Sequence, residues 1–305
     1  MNVIVVTGAT SMIGSALIRS SLRQGISRIY AVVRPGSSKM DRLPADDRIV
    51  TVECAADAYE MLPRLIPEKC DVFYHIAWTL TGTARNDDLV EQAKNVQYTL
   101  QAFSAAVELG CGKFVGAGSQ AEYGKLDIPS IGPDSPVNPV QAYGIAKYAA
   151  GKLVMEAAKK TDLSCLWVRI FSVYGIYDKP TTMIASTLRK LLANEPTAFT
   201  KGEQTWDYLF SEDAGDAFYL IGKKAKGRKV YCLGSGECRT LRRFIEQIRD
   251  AANPDAVLGI GEIPYTPQTV MHLCADIDTL REDTGFAPKT SFREGIRQTI
   301  RWMQC

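Results

Sequence analysis

A chain that opens Val3-Ile4-Val5-Val6-Thr7-Gly8-Ala9-Thr10-Ser11-Met12-Ile13-Gly14 has few folds open to it. Four β-branched residues in succession favour a buried strand. A turn of small residues follows, and the run from Ile13 to Leu22 has the apolar spacing of an amphipathic helix. A strand that feeds a helix through a glycine turn aims backbone N–H groups and the positive helix end at one point, where a phosphate can sit. That is the mechanical basis of a dinucleotide-binding turn, made here by Thr7, Gly8, Thr10, Ser11, Met12, Ile13 and Gly14. An ordinary tight turn opening a core βα unit uses the same residue types. The middle glycine of the usual pattern is also Ser11 here, so the rest of the chain has to discriminate.

The alternation continues. Segments 28–33, 49–52, 71–76, 113–117 and 165–170 read as strands two to six, with helical patterns over 58–66, 87–109 and 142–160. Apolar strands separated by long helical segments predict an α/β fold, a Rossmann-type doubly wound parallel sheet with right-handed crossovers. Beyond Ile170 the strands shorten, and Gly175, Pro180, Pro196 and Gly202 punctuate the chain. Helices are expected over 182–193, 239–253 and 292–303, and a strand over 229–233. Residues 1–171 read as the dinucleotide-binding domain, and 172–305 mostly as a smaller, interleaved substrate lobe. Segments near 207–225 and 270–280 are expected to return to the first domain.

Composition narrows the partners. The 305 residues carry 36 basic and 34 acidic side chains, a formal charge of +2, which supplies no field for nucleic acid or an anionic membrane. No apolar run reaches membrane-spanning length. The chain opens directly on a strand rather than on a signal peptide, so a cytoplasmic location is expected. The eight cysteines are Cys54, Cys70, Cys111, Cys165, Cys232, Cys238, Cys274 and Cys305, with no CxxC pair and only His75 and His272 beside them. Reduced thiols are therefore expected, with neither a metal site nor a disulfide framework.

Strand two ends at Arg34, about twenty residues beyond Gly14, where an acidic residue would hold the ribose 2′-OH of NAD and a basic one suits the 2′-phosphate of NADP. Ser37, Ser38 and Lys39 follow as further donors. NADP is the preferred reading and NAD the alternative. Asp57, after strand three, is placed either to meet the adenine or as a solvated loop residue.

Ser119 follows strand five, at the carboxyl end where open α/β sheets bind ligands. Tyr143 and Lys147 stand i,i+4 at the start of the next helix, on one face. A free phenol titrates near 10, and a neighbouring cation lowers it. Tyr143 is then expected to pass a proton, Lys147 to lower its pKa, and Ser119 to polarise the same substrate oxygen.

In that order, these elements resemble the extended short-chain dehydrogenase/reductase family, in particular its nucleotide-sugar epimerases, dehydratases and 4-ketoreductases. Thr7 to Gly14 resembles TGxxGxxG with Ser11 as a departure, and Tyr143 with Lys147 matches the catalytic pair. His75-Ile76-Ala77 resembles the loop bordering the cofactor ribose, Asn95-Val96 with Thr99 the asparagine-containing helix, and Ser119 with Tyr123-Gly124 the S-x-x-x-Y-G element. The segment 168–175 resembles L-R-x-x-N-V-Y-G with Ser172 for asparagine, and Trp206-Asp207-Tyr208 resembles R-D-F with tryptophan for arginine. The resemblance implies NADP or NAD bound along Thr7–Gly14, Arg34, Ser37, Asp57, Ile76, Ala77, Tyr143 and Lys147. It implies a nucleoside-diphosphate sugar bound near Ser119, Gln120, Ser172 and Trp206, and a homodimer built on the two long helices. Dehydratases of the family carry an Asp-Glu pair where this chain has Gln120-Ala121, so dehydration is disfavoured. The reading is reduction of a 4-keto sugar, with a 4-epimerase holding NAD as the close alternative. A non-enzymatic dinucleotide-binding regulator is the alternative from another class. Either Lys201 or Arg239 stands in for the missing arginine or Trp206 stacks on the nucleotide, with packing of the lobe as the other reading of the tryptophan.

Overall fold

In the computed structural model, which describes residues 1–82, 84–267 and 269–305, the opening stretch forms β1 (Val3–Thr7) and α1 (Met12–Arg23). There follow β2 (Arg28–Val33), β3 (Ile49–Glu53), α2 (Leu62–Leu65), β4 (Val72–His75), α3 (Leu89–Glu108), β5 (Lys113–Ser119), α4 (Ala142–Ala158) and β6 (Ser164–Ile170). The pattern expected over 58–66 is split into a 3₁₀ turn, Ala56–Met61, and the single turn of α2. Ala58 leaves the helical region, and Pro63 lacks the N–H that a continuing helix would need, so a new turn begins there.

The second half contributes β7 (Ser172–Tyr174), α5 (Met183–Leu192), β8 (Thr197–Phe199), β9 (Thr205–Trp206), β10 (Tyr208–Phe210) and α6 (Ser211–Lys224). After these come β11 (Arg228–Leu233), β12 (Arg239–Thr240), α7 (Leu241–Ala252), β13 (Leu258–Ile260), β14 (His272–Leu273), α8 (Asp278–Thr284) and α9 (Phe292–Gln304). Seven parallel strands form one sheet in the order β11-β6-β5-β4-β1-β2-β3. The chain winds outward from β1 to β3, then crosses back to β4, so the strand order reverses between β1 and β4. Open sheets bind ligands in the crevice at such a switch point.

Both faces of the sheet are covered, which is why its strands are apolar throughout. In β1, Ile4 and Val6 pack with Leu17 and Ile18 of α1 and Phe218 of α6, while Val5 joins Phe73, Phe114 and the α3 and α4 residues on the other face. Segment 228–233, which falls within the smaller lobe by its position in the chain, supplies the outermost strand of this sheet. α6 packs on α1, where Arg19 pairs with Glu212 and Arg23 with Asp216. A separate core made by α5, α7, α9 and β10 includes Ile184, Leu188, Phe210, Phe244, Ile248 and Phe292.

Three short strands, β12-β9-β14, lie side by side. Trp206 of β9 stands opposite Arg239 on one side and Leu273 on the other. This brings Cys238 and Cys274 together in a disulfide with a Cα–Cα distance of 5.8 Å, against the expectation that all eight thiols are free. A spacing of 36 residues carries no signal in the sequence, because the pairing depends on where the three strands dock. Closing a loop of that length stabilises by about 3–4 kcal/mol in the chain-entropy model. Cys274→Ser is expected to lower the urea midpoint correspondingly, and reduction of the wild-type chain should reproduce the shift. An unchanged midpoint in both would show that the bridge contributes nothing.

Candidate active site

The turn after β1 is shaped by two close approaches. Gly8 has a φ of 69°, and a Cβ there would stand 2.7 Å from the Ala77 nitrogen. The turn therefore presses directly on the loop after β4, which brings Ile76 and Ala77 to its edge. Ser11 needs no glycine conformation, because its φ is −74°. It is the N-cap of α1, and its Oγ accepts from the Gly14 N–H at 3.0 Å. The first N–H groups of the helix, at Met12 and Ile13, still head its N-terminus, where an anion is favoured. The departure at Ser11 is thus a cap that leaves the head of α1 open, and the turn fits a dinucleotide.

Thr7 Oγ1 lies 2.9 Å from His75 Nδ1, and Thr99 Oγ1 3.3 Å from His75 Nε2, which locks the ends of β1 and β4 together through α3. Burial, and secondarily the Lys147 charge, holds His75 down to about 3, so the ring is neutral and serves as packing. Arg34 is exposed at the end of β2, and the Ser37 N–H donates to its carbonyl at 3.1 Å. Asp57 is exposed on the 3₁₀ turn after β3. Arg42 was not singled out by the sequence. Its Nη1 donates to the Thr10 carbonyl at 3.3 Å, and its guanidinium lies over the Tyr177 ring. It comes from a single 3₁₀ turn, Met40–Arg42, too short to leave a period in the sequence, and only its charge signalled it.

Ser119 begins a 3₁₀ turn, Gln120–Glu122, with a reciprocal cap. Its Oγ accepts from the Ala121 N–H at 3.2 Å, and its N–H donates to Glu122 Oε1 at 2.8 Å. Glu122 is 1% exposed and also accepts from Trp167 Nε1 at 2.9 Å and from Arg169 Nε at 2.8 Å. It is therefore an ion-pair partner that fixes the serine. α4 lies hard against this turn, since a Cβ on Gly144 would stand 2.3 Å from the Ala121 carbonyl oxygen. Glycine between Tyr143 and Lys147 is what lets the helix bring both side chains up to Ser119. The Tyr143 N–H at the head of α4 donates to Asn86 Oδ1 at 3.2 Å.

The electrostatics differ from the simple Tyr/Lys pairing in one respect. Burial raises the Tyr143 phenol above its ordinary value, and the Ser119 hydroxyl and the Arg85 charge act against that rise. Arg85 lies 5.1 Å over the Tyr143 ring. The Lys147 ammonium, which was expected to be the cation acting on the phenol, is instead 5.9 Å from the ring centroid and donates to the Ala117 carbonyl at 2.6 Å. Burial brings it down to about 7, with the Glu122 charge pulling the other way.

On the other side of the crevice the two departures from the family pattern meet. Trp206 Nε1 donates to Ser172 Oγ at 2.8 Å, and both residues are partly exposed. Asp207 beside them is buried, and its carboxylate accepts from the N–H groups of Ser235, Gly236 and Ala275. Arg239 is paired with Glu237 across from Trp206, whereas Lys201 lies in a separate groove with Gly202, Thr240 and Arg242. Gln120 is partly exposed beside Ser119.

The NAD dependent epimerase/dehydratase family matches residues 4–234. The UDP-glucose 4-epimerase of Mycolicibacterium smegmatis is 27% identical, with 98% of each chain covered. The dTDP-4-dehydro-6-deoxyglucose reductase of Escherichia coli is 25% identical over 100% of this chain and 98% of that one. Among solved structures, a UDP-glucose 4-epimerase with UDP-glucose from Thermotoga maritima superimposes with a TM-score of 0.87 at 22% identity, covering 100% of this chain and 99% of that one.

Removing one partner of a buried ion pair strands the other charge, typically at about 3–5 kcal/mol. Glu122→Ala is expected to cost stability in that range by urea unfolding. Adding Arg169→Met should recover most of it. Failure of the double variant to recover would show that Glu122 matters chiefly through Ser119 and Trp167.

Proposed function

Because the chain belongs to the NAD dependent epimerase/dehydratase family, we propose that it is an NAD(P)-dependent oxidoreductase acting on a nucleoside-diphosphate sugar, by reduction of a 4-keto group. The observation that carries this reading is the convergence of Ser119, Tyr143 and Lys147 at the carboxyl ends of the strands, beside the turn at Gly8–Gly14. In this reading residues 1–171, with the segments near 207–225 and 270–280, form the cofactor domain, and most of 172–305 forms the substrate lobe. The turn, with Ile76 and Ala77, holds the dinucleotide, which when bound supplies the hydride. Arg34 and Ser37 favour NADP, with NAD as the alternative. Asp57 borders the adenine end.

The residues then divide the work. Ser119 Oγ already accepts from Ala121, which leaves its O–H as a donor for the substrate oxygen. Tyr143 donates the proton to the same oxygen. Lys147 supplies positive charge on the same helix face, and Arg85 over the ring adds more. Trp206, held by Ser172, offers an aromatic face to the nucleotide, and Gln120 lines the sugar end. An Asp-Glu pair for dehydration does not follow Ser119, where Gln120 and Ala121 stand. A 4-epimerase remains the second reading, favoured by the 27% identical relative. The exposed Leu89, Val90 and Val107 of α3 and Ile145 and Leu153 of α4 support a homodimer through these helices. Sedimentation of the purified chain should give twice the monomer mass, and a monomer would overturn that part.

Consumption of NADPH against a panel of nucleotide-linked 4-keto sugars tests the main reading. Tyr143→Phe is expected to lower turnover by about 10²–10⁴-fold with the fold intact. Undiminished turnover would remove Tyr143 from the mechanism. NAD retained through purification, with no net NADPH oxidation on any substrate, would favour the epimerase. Arg34→Ser is expected to raise KM for NADPH at least tenfold and leave NADH unaffected. Equal effects on both cofactors would count against a 2′-phosphate site.

A further inference from the structure

The loop after β4 does more than border the turn. Trp78 follows directly on Ile76 and Ala77, and the Lys147 Nζ stands 3.7 Å from the centroid of its indole ring. The same indole packs nearly perpendicular to the Tyr143 ring, with centroids 6.1 Å apart at 81°. We propose that Trp78 is a positioning residue for the proton-transfer pair: its face seats the Lys147 ammonium beside the Ala117 carbonyl, and its perpendicular packing sets the Tyr143 ring. The inference rests on the catalytic reading of Tyr143 and Lys147.

The indole is itself held from two directions. Its Nε1 donates to Gln92 Oε1 at 2.9 Å, and the Thr79 N–H donates to Asn95 Oδ1 at 2.9 Å. Gln92 is 1% exposed, and its Nε2 donates to the carbonyls of Leu80 and Arg85. Leu80 has a φ of 53°, a conformation a branched residue adopts only when its surroundings impose it. One amide of α3 therefore fixes Trp78 and the backbone that carries Arg85 to the Tyr143 ring.

Lys147 sits where water is excluded, so its charge needs compensation from fixed groups. The groups facing it are Glu122 from the turn after β5, the neutral His75 of β4 and Tyr143 of α4, and Arg85 lies over the Tyr143 ring. Glu122 has its oxygens engaged by Ser119, Trp167 and Arg169. The Ala117 carbonyl takes one of the three ammonium donors. Among the described residues the indole face, at 3.7 Å, is the nearer of two aromatic contacts that favour the charged form, the Tyr143 ring lying at 5.9 Å, and such a contact is strongest in a dry site. Burial pushes Lys147 towards neutrality, to about 7 with the Glu122 charge pulling the other way. Trp78 works against burial, keeping the lysine cationic near neutral pH.

The test uses the full chain labelled with ¹³Cε-lysine, with Lys147→Arg identifying the resonance. In the wild type the Lys147 Cε protons should be displaced upfield by the indole ring current. Trp78→Leu keeps apolar bulk and removes the ring. It should abolish that displacement and lower the Lys147 titration midpoint by about one pH unit. The alkaline limb of turnover should move down with it, since activity needs the cation. Trp78→Phe should give an intermediate midpoint, which keeps the test informative if the leucine variant folds poorly. A midpoint that stays put or rises in both variants overturns the proposal, because the indole would then act only by excluding water. Undiminished turnover in Tyr143→Phe would overturn the catalytic reading instead, and the resonance measurements in the Trp78 variants separate the two failures.

Discussion

A carboxylate placed at the buried end of a parallel sheet has to be satisfied completely, and much of the site is arranged around doing so for Glu122. One oxygen takes the Ser119 N–H and the Trp167 indole, and the other takes Arg169. Arg169 in turn donates to the Pro133 carbonyl and lies over the Tyr123 ring. The result is a rigid turn after β5 with Ser119 at its head. α4 can then settle on that turn through Gly144, and Tyr143 and Lys147 arrive with it. The pair contributes through geometry, since a buried ion pair by itself is weak evidence for stability.

The cofactor side has its own lock. Thr7 and Thr99 grip His75 from both ring nitrogens, so the strand ends on either side of the switch point are held at one spacing. Across the crevice, Ser172 and Trp206 depart from the family pattern together and bond to each other. A side chain that would reach into the crevice as an arginine is here an aromatic plane pinned at its nitrogen. The Cys238–Cys274 bridge ties the strands on both sides of that plane.

The first half of the fold was legible because fully buried parallel strands are apolar along their whole length and the intervening helices are long. The second half was less so. Strands of two or three residues carry no period, and β11 joins the large sheet only because α6 returns the chain to it. Ser119, Tyr143 and Lys147 were legible from order and spacing, since i,i+4 positions share a helix face wherever the helix sits. Ser11 looked like a defect in the glycine pattern and proved to be a cap.

Local spacing along the chain determined the glycine turn after β1, the doubly wound sheet and the Ser/Tyr/Lys order, because each depends on residues close in sequence. Tertiary structure decided what surrounds those residues. Lys147 meets Trp78 and Ala117 more closely than the Tyr143 ring, Arg85 also lies over that ring, and Cys238 finds Cys274. These contacts join segments with no common period, and the dry interior sets their strength. The turn from Val3 to Gly14 was therefore readable in isolation, whereas the ionisation of the pair beside it follows only from packing.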